Sequence, residues 1–410
     1  MPVEPEYQLR DVLSLWWLGD PASPRLIGEL RPALGHRAVS LQYDTAWLQG
    51  GFPLSEDLPL VPRLFLPAER DTAPGAVDDA RPDRWGERVI RKFERSPRLS
   101  LLEFLLFAGD DRYGALGVSL SAEAYQPWDS SPVPGLASLG AMEEAIRKVL
   151  ANEPVPELQR RLVRPGVSLG GARPKSLLSI DGEAWLVKFS EGEDLDTELV
   201  EHATMTLAAA CGINVAETRA LPVAGRHAVA VRRFDRVPAG RLHAVSANVA
   251  LRAAGEELGY PQLAQLLRRT LPAREIAREQ EQLFRRMVFN ILMDNTDDHE
   301  KNHALLRQGD GSYGLAPAFD VVPSAQGLGV QALVVGAAGA ESSIANALSS
   351  VRDFGLAPAA GRRVVQEVAR LVDGWQAHFR AAGVRAADIE VLAQYIDGHR
   401  LGGERRAAIA

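Results

Sequence analysis

The chain has 410 residues, 46% hydrophobic and 24% charged, enough for two to three structural units or one large two-lobed enzyme with a real core. A net charge of −7 argues against a dedicated nucleic-acid binder, and the single Cys211, read as a small buried hydrophobe, excludes an intramolecular disulfide or a cysteine-built zinc site. No run of about 18 uncharged apolar residues occurs, and the acidic start MPVEPEYQLRDV lacks a signal-peptide apolar region, so a cytoplasmic protein with no membrane partner is expected.

In chain order, residues 8–48 read as strands, with one at Val12–Asp20 and another at Ala38–Tyr43. Residues 51–80, rich in proline and acids, read as irregular. Trp85–Glu94 and Leu101–Phe107 read as helices, and Gly109–Gly117 as a glycine-rich turn into a strand. Residues 121–135 carry the proline and serine punctuation of a linker, and a helix is expected at 139–151. Ser176–Ile180 and Glu183–Phe189 flank Asp181-Gly182, the signature of a tight hairpin. A helix over Thr197–Cys211 closed by Gly212 follows, then strands at Val215–Leu221 and His227–Phe234. From about residue 260 the pattern turns helical. Leu283, Phe284, Met287, Val288, Ile291 and Leu292 recur at three- and four-residue spacings within Arg274–Met293, and two more helices are expected over 362–398. Strands first and helices later predict an α+β fold of two lobes with a cleft between them.

Just after the 274–293 helix comes Asp297-Asp298-His299-Glu300-Lys301-Asn302, with Asp320 following 18 residues after Asn302. Phosphoryl transfer needs this set: one carboxylate for the attacking hydroxyl, and an amide oxygen and second carboxylate for Mg²⁺. Upstream, Ser168-Leu-Gly-Gly-Ala-Arg-Pro-Lys175 offers adjacent glycines whose N–H groups can approach phosphate, with Lys175 adding charge. It fits neither the Walker A pattern nor Gly-x-Gly-x-x-Gly. Lys188 ends the apolar run Trp185-Leu-Val, where a buried charge demands a phosphate or carboxylate partner. Glu201 on the next helix is the candidate carboxylate, with Glu198 its rival one turn earlier. Each part alone has a bland alternative: a plain tight turn, an edge-strand lysine, a surface glutamate, unrelated polar residues. Their joint occurrence in order points to ATP-dependent phosphoryl transfer. His299 reads as a hydrogen-bonding group of the loop. A zinc pair of His299 and His303 is disfavoured because the His-Glu-x-x-His order is absent.

These residues resemble the HipA family of bacterial serine/threonine kinases, the toxins of HipBA-type toxin–antitoxin pairs. The resemblance rests on Pro82–Gly86, Gly109–Ala115, Ser168–Lys175, Arg233–Arg236, Thr296–Asn302 and Phe319-Asp320, and covers most of the chain. The Asp-x-His-x-x-Asn form is also similar to the catalytic loop of lipid kinases. The resemblance implies a two-lobed kinase-like fold, with a HipA-type N-terminal subdomain at 1–120, a linker and helix at 121–155, a kinase N-lobe at 156–260 and a helical C-lobe at 261–410. It implies Asp297 as catalytic base, Asn302 and Asp320 as Mg²⁺ ligands, and a structural ion pair of Lys188 with Glu201. The nucleotide-facing set would be Ser168, Gly170, Gly171, Ala172, Lys175, Lys188, Arg232, Phe234, His299 and Lys301, with main chain near Arg232 to Phe234 meeting the adenine. Ser168 occupies the place of the family's autophosphorylated serine; a phosphate there, carrying roughly −2 charge, would sit badly beside ATP phosphates. Arg232 departs from the acidic residue often found before Arg-Phe-Asp, and Arg-Pro in the phosphate loop replaces Gln-Glu. The expected cofactors are ATP and Mg²⁺. The expected partners are a HipB-like helix-turn-helix antitoxin, DNA only through that antitoxin, and a protein substrate such as an aminoacyl-tRNA synthetase. The alternatives are a small-molecule kinase with the same loop and an inactive kinase-like subunit that binds an antitoxin.

Overall fold

The computed structural model describes residues 7–67, 69–166 and 171–410. The fold is α+β and divides into two compact units, one of Met1–Val187 with Asp235–Val245, the other of Lys188–Phe234 with Ser246–Ala410.

The first unit is built on a five-stranded antiparallel sheet. Its strands lie in the order Leu64–Phe65, Ala38–Tyr43, Arg25–Ala33, Leu13–Trp17, Leu116–Ser119. Register is pinned by pairs such as Leu13 with Leu30 and Leu30 with Leu41, both ends of which are fully buried. Every residue of the helix Leu101–Phe107 is buried, and a capping box of Ser100 and Glu103 starts it. Burying its leucines and phenylalanines contributes about 1.5–3 kcal/mol per side chain. Thr45–Gly50 is a helix, not the strand expected over 8–48. Asp44 caps it, accepting from the Ala46 N–H at 2.8 Å, and that cap overrides the local strand pattern. Residues 121–135 form neither helix nor strand. They are nevertheless pinned, since Trp128 packs on Tyr7 and Phe107 with ring centroids 5.7 and 4.9 Å away. Lys175–Ile180 and Glu183–Lys188 form a hairpin whose turn residues Asp181 and Gly182 have φ of +56° and +80°. Two consecutive positive φ values define the type I′ turn that an Asp-Gly pair favours.

The second unit begins at Lys188. It holds the helix Thr197–Ala210, the hairpin Thr218–Val223 and Arg226–Arg232, and a helical body. At the centre of that body lies the 20-residue helix Ala273–Leu292, with Leu283, Phe284, Met287, Val288 and Ile291 at 0% exposure. Over 362–398, where two helices were expected, there are three, Pro358–Val372, Trp375–Ala381 and Ala386–Ile396, and a fourth, His399–Ile409, follows. Gly374, Gly383 and Gly398 break the helical periodicity between them. No helix of the described residues is long and apolar enough to cross a membrane.

Candidate functional site

The strand Glu183–Lys188 runs through buried Trp185, Leu186 and Val187 and delivers Lys188 with 5% of its surface exposed. An ammonium so placed needs compensation. Its Nζ donates to Glu201 Oε1 at 2.7 Å and to Asp320 Oδ1 at 2.5 Å. Glu201, 2% exposed, is on the second turn of Thr197–Ala210. Burial pulls the Lys188 ammonium down, but Asp320 and Glu201 outweigh it and hold the group above its ordinary value. Asp320 follows the short strand Tyr313–Leu315 and lies outside any strand, with φ +58°. The sequence of Leu315–Pro323 is strand-like up to its proline, but the strand ends at Leu315, and beyond it in that stretch only Ala318 makes a bridge, to Val215. Left-handed backbone is a conformation that aspartate tolerates better than most side chains.

The helix Ala273–Leu292 ends with Asp294 in left-handed backbone, φ +54°, and with the Asn295 N–H returning to the Asn290 carbonyl at 2.9 Å. This turns the chain out into the Asp297–Asn302 loop. Asp297 is exposed, whereas Asp298 is buried. The Asp298 carboxylate accepts from the Tyr260 hydroxyl, from Asn290 Nδ2 at 2.8 Å and from His303 Nε2 at 2.8 Å. Burial pushes Asp298 up, but His303 and Tyr260 outweigh it and leave the group below the usual carboxylate value. The opposite shift follows for Tyr260, which burial and Asp298 raise well above normal. Asn302 Nδ2 donates to the Asp297 carbonyl at 3.3 Å, which orients the amide. Asn302, Phe319 and Val321 line one cleft, so the loop and the residues flanking Asp320 meet there. His299 Nδ1 accepts from the Lys301 N–H at 3.2 Å, a turn-forming bond, while the Lys301 side chain is exposed. His303 Nε2 is committed to Asp298.

Of the phosphate-loop candidates, Ser168 and Gly170 lie outside the described residues. Gly171, with φ +95°, and Ala172 are exposed. Lys175 is 1% exposed, its Nζ on Asp83 Oδ2 at 2.5 Å and near the Gly171 carbonyl at 3.4 Å. Asp83 also caps the helix Arg84–Phe93 through its Oδ1 and the Gly86 N–H at 2.9 Å, and Trp85 Nε1 donates to the Lys175 carbonyl at 2.8 Å. The Pro82–Gly86 motif is therefore a clasp on Lys175. Arg232 is exposed, its N–H donating to the Glu217 carbonyl at 2.8 Å, and Phe234 packs against Phe319 at 5.5 Å.

Two family models match the sequence, the HipA N-terminal domain over residues 22–119 and the HipA-like C-terminal domain over residues 167–375. The chain belongs to the HipA family. A relative from Sinorhizobium fredii whose name describes it as a kinase, Y4mE, is 26% identical over 403 residues, covering 91% of this chain and 86% of its own. A second from the same organism, Y4dM, also named as a kinase, is 28% identical over 153 residues, 34% of this chain and 37% of its own. Among solved structures, a chain of the Shewanella oneidensis MR-1 complex of HipA, HipB and operator DNA superposes with a TM-score of 0.67 at 19% identity. The superposition covers 97% of this chain and 96% of that one. At that identity the likeness shows a shared fold.

One atom in the Asp297–Asn302 loop bears on a divalent metal. Asn302 Oδ1 is buried and accepts no hydrogen bond, although Nδ2 of the same amide is used. An orphaned buried carbonyl oxygen costs free energy unless something positive reaches it. Both this oxygen and the partly exposed Asp320 carboxylate are hard-oxygen donors, the type that would suit Mg²⁺. Asp298 and Asp83 stand inside motifs named above and Asp294 beside one, but sequence assigns none of them a role. Each is an aspartate whose partners lie close in space and, for Tyr260 and Lys175, far along the chain, so no local spacing marks it.

Proposed function

We propose that this HipA-family chain is an ATP- and Mg²⁺-dependent serine/threonine protein kinase. The observation that carries the reading is the convergence on Lys188 of Glu201 and Asp320, in the same unit as the orphaned Asn302 Oδ1. Lys188 would meet the nucleotide phosphates, with Glu201 fixing its direction. Asn302 and Asp320 would hold Mg²⁺, which when bound neutralises charge on the phosphates. Asp297, exposed beside buried Asp298, would accept the acceptor hydroxyl's proton. That oxygen bonds to the γ-phosphorus, the bond from the γ-phosphorus to the bridging oxygen breaks, and ADP leaves. Asp298 holds the loop on Tyr260, Asn290 and His303, so Asp297 can point outward without the loop unwinding.

The finer parts belong to the same proposal. The Shewanella structure holds HipA with HipB and operator DNA. By that likeness a HipB-like helix-turn-helix antitoxin is the proposed partner, with DNA reached through it. The proposed acceptor is a protein of the translation machinery such as an aminoacyl-tRNA synthetase, and Ser168 is the proposed site of self-inactivation.

Asp297→Asn tests the reading. Transfer from labelled ATP should fall by about 10²–10⁴ while ATP binding stays near that of the parent, because the base acts in the chemical step. Turnover equal to the parent would sink the assignment. Labelled transfer in a lysate, followed by identification of the modified protein, tests the substrate class.

A further inference from the structure

Ser324 lies four residues beyond Asp320 and belongs to none of the motifs above. Its Oγ accepts from the main-chain N–H of Thr296 at 2.8 Å and of Asp297 at 3.2 Å. Its own N–H donates to the Asp294 carbonyl at 2.9 Å. Asp294 Oδ2 in turn accepts from the Gly327 N–H at 3.1 Å. Four hydrogen bonds thus lace the segment after Asp320 to the segment carrying Asp297, and the two amides bound by Ser324 Oγ lie in neither helix nor strand. Asp294 is 1% exposed and sits in left-handed backbone at the end of the Ala273–Leu292 helix, which gives the lacing a rigid root.

We propose that Ser324 is a positioning residue for phosphoryl transfer: its hydroxyl oxygen sets where the Asp297 main chain, and with it the carboxylate, stands relative to the segment that bears Asp320. This rests on the reading of Asp297 as the base. Ser324 is half-buried, so its loss lets water replace the oxygen at the two amides, and the fold survives. The cost falls on geometry, where a shift of about 1 Å at a reacting group lowers rate by about 10²-fold.

The test uses the full chain. Ser324→Ala should lower kcat about 10- to 100-fold with KM for ATP within about twofold, because placement of the base is felt in the chemical step. Ser324→Thr keeps the oxygen and should restore kcat to within about threefold of the parent. Hydrogen exchange without nucleotide or metal gives an independent readout. The Thr296 and Asp297 amides should lose protection in Ser324→Ala and regain it in Ser324→Thr, while the Ala273–Leu292 helix stays protected in both. An unchanged kcat in Ser324→Ala, unchanged exchange at the two amides, or equal loss in both variants overturns the proposal. Asp297→Asn, run in parallel, separates the two ideas. If it turns over like the parent, the kinase assignment fails; if it is dead while Ser324→Ala is unaffected, only the role of Ser324 fails.

Discussion

Asp297 and Asp298 are chemically identical neighbours with opposite fates, and the difference is made by Tyr260, Asn290 and His303. The buried member gathers three donors and stays ionised, and the exposed member is the proposed base. Asp298→Ala should therefore destabilise the protein by about 3–5 kcal/mol at neutral pH, the cost of breaking a buried charged network. Since the native carboxyl lies below its usual value, this contribution is complete above the unfolded value of about 3.9 and is lost as pH falls through the lower native one. Urea midpoints should show a wide gap between parent and variant at pH 7 and a narrowed gap near pH 3. A gap that does not depend on pH would show that the ionised form is not what stabilises.

At the scale of elements, the Asp-Gly hairpin, the helix over residues 274–293 and the order of strands before helices were legible from local chemistry alone. Type I′ turns and an apolar face of period 3.6 need no long-range information. The Thr45–Gly50 helix, the early end of the strand before Asp320 and the splitting of the C-terminal helices were not legible. They depend on a cap, on a single bridge and on glycines whose effect only packing decides. In the proposed site, Lys188, Asp297, Asn302 and Asp320 stand out by order and residue type, whereas Ser324 acts on main chain and Asp83, though inside the Pro82–Gly86 motif, pairs with a lysine far along the chain, so neither role shows as a local pattern. The Asp83 clasp gives a graded test. Asp83→Asn should lose the ion pair to Lys175 yet keep a cap on Arg84–Phe93, and Asp83→Ala should lose both, costing about 1 kcal/mol more. Denaturant unfolding followed by tryptophan fluorescence, with Trp85 bonded to the same lysine, checks the order. Equal loss in the two variants would remove the cap from the account.

For the molecule as a whole, the single thiol reports on the second unit. Cys211 is 1% exposed at the end of Thr197–Ala210, and burial pushes its thiol up to about 12. Alkylation at pH 8 should be negligible in the native protein and should track opening of that unit in denaturant, since thiolate and access are both required. Fast labelling of the folded chain would show that the helix end is open in solution.

The chain passes from one unit to the other at 187/188, 234/235 and 245/246. The late segment is integral to the first unit. Asp235 is fully buried on the Gly114 N–H, Arg241 grips Asp110, and His243 reaches the Leu54 carbonyl. The N-terminal unit therefore cannot close until the ribosome has delivered residue 245, by which time Thr197–Ala210 and the hairpin after it have also been synthesised. Half-made chains must wait with an incomplete core, and no single cut in the gene yields either unit whole.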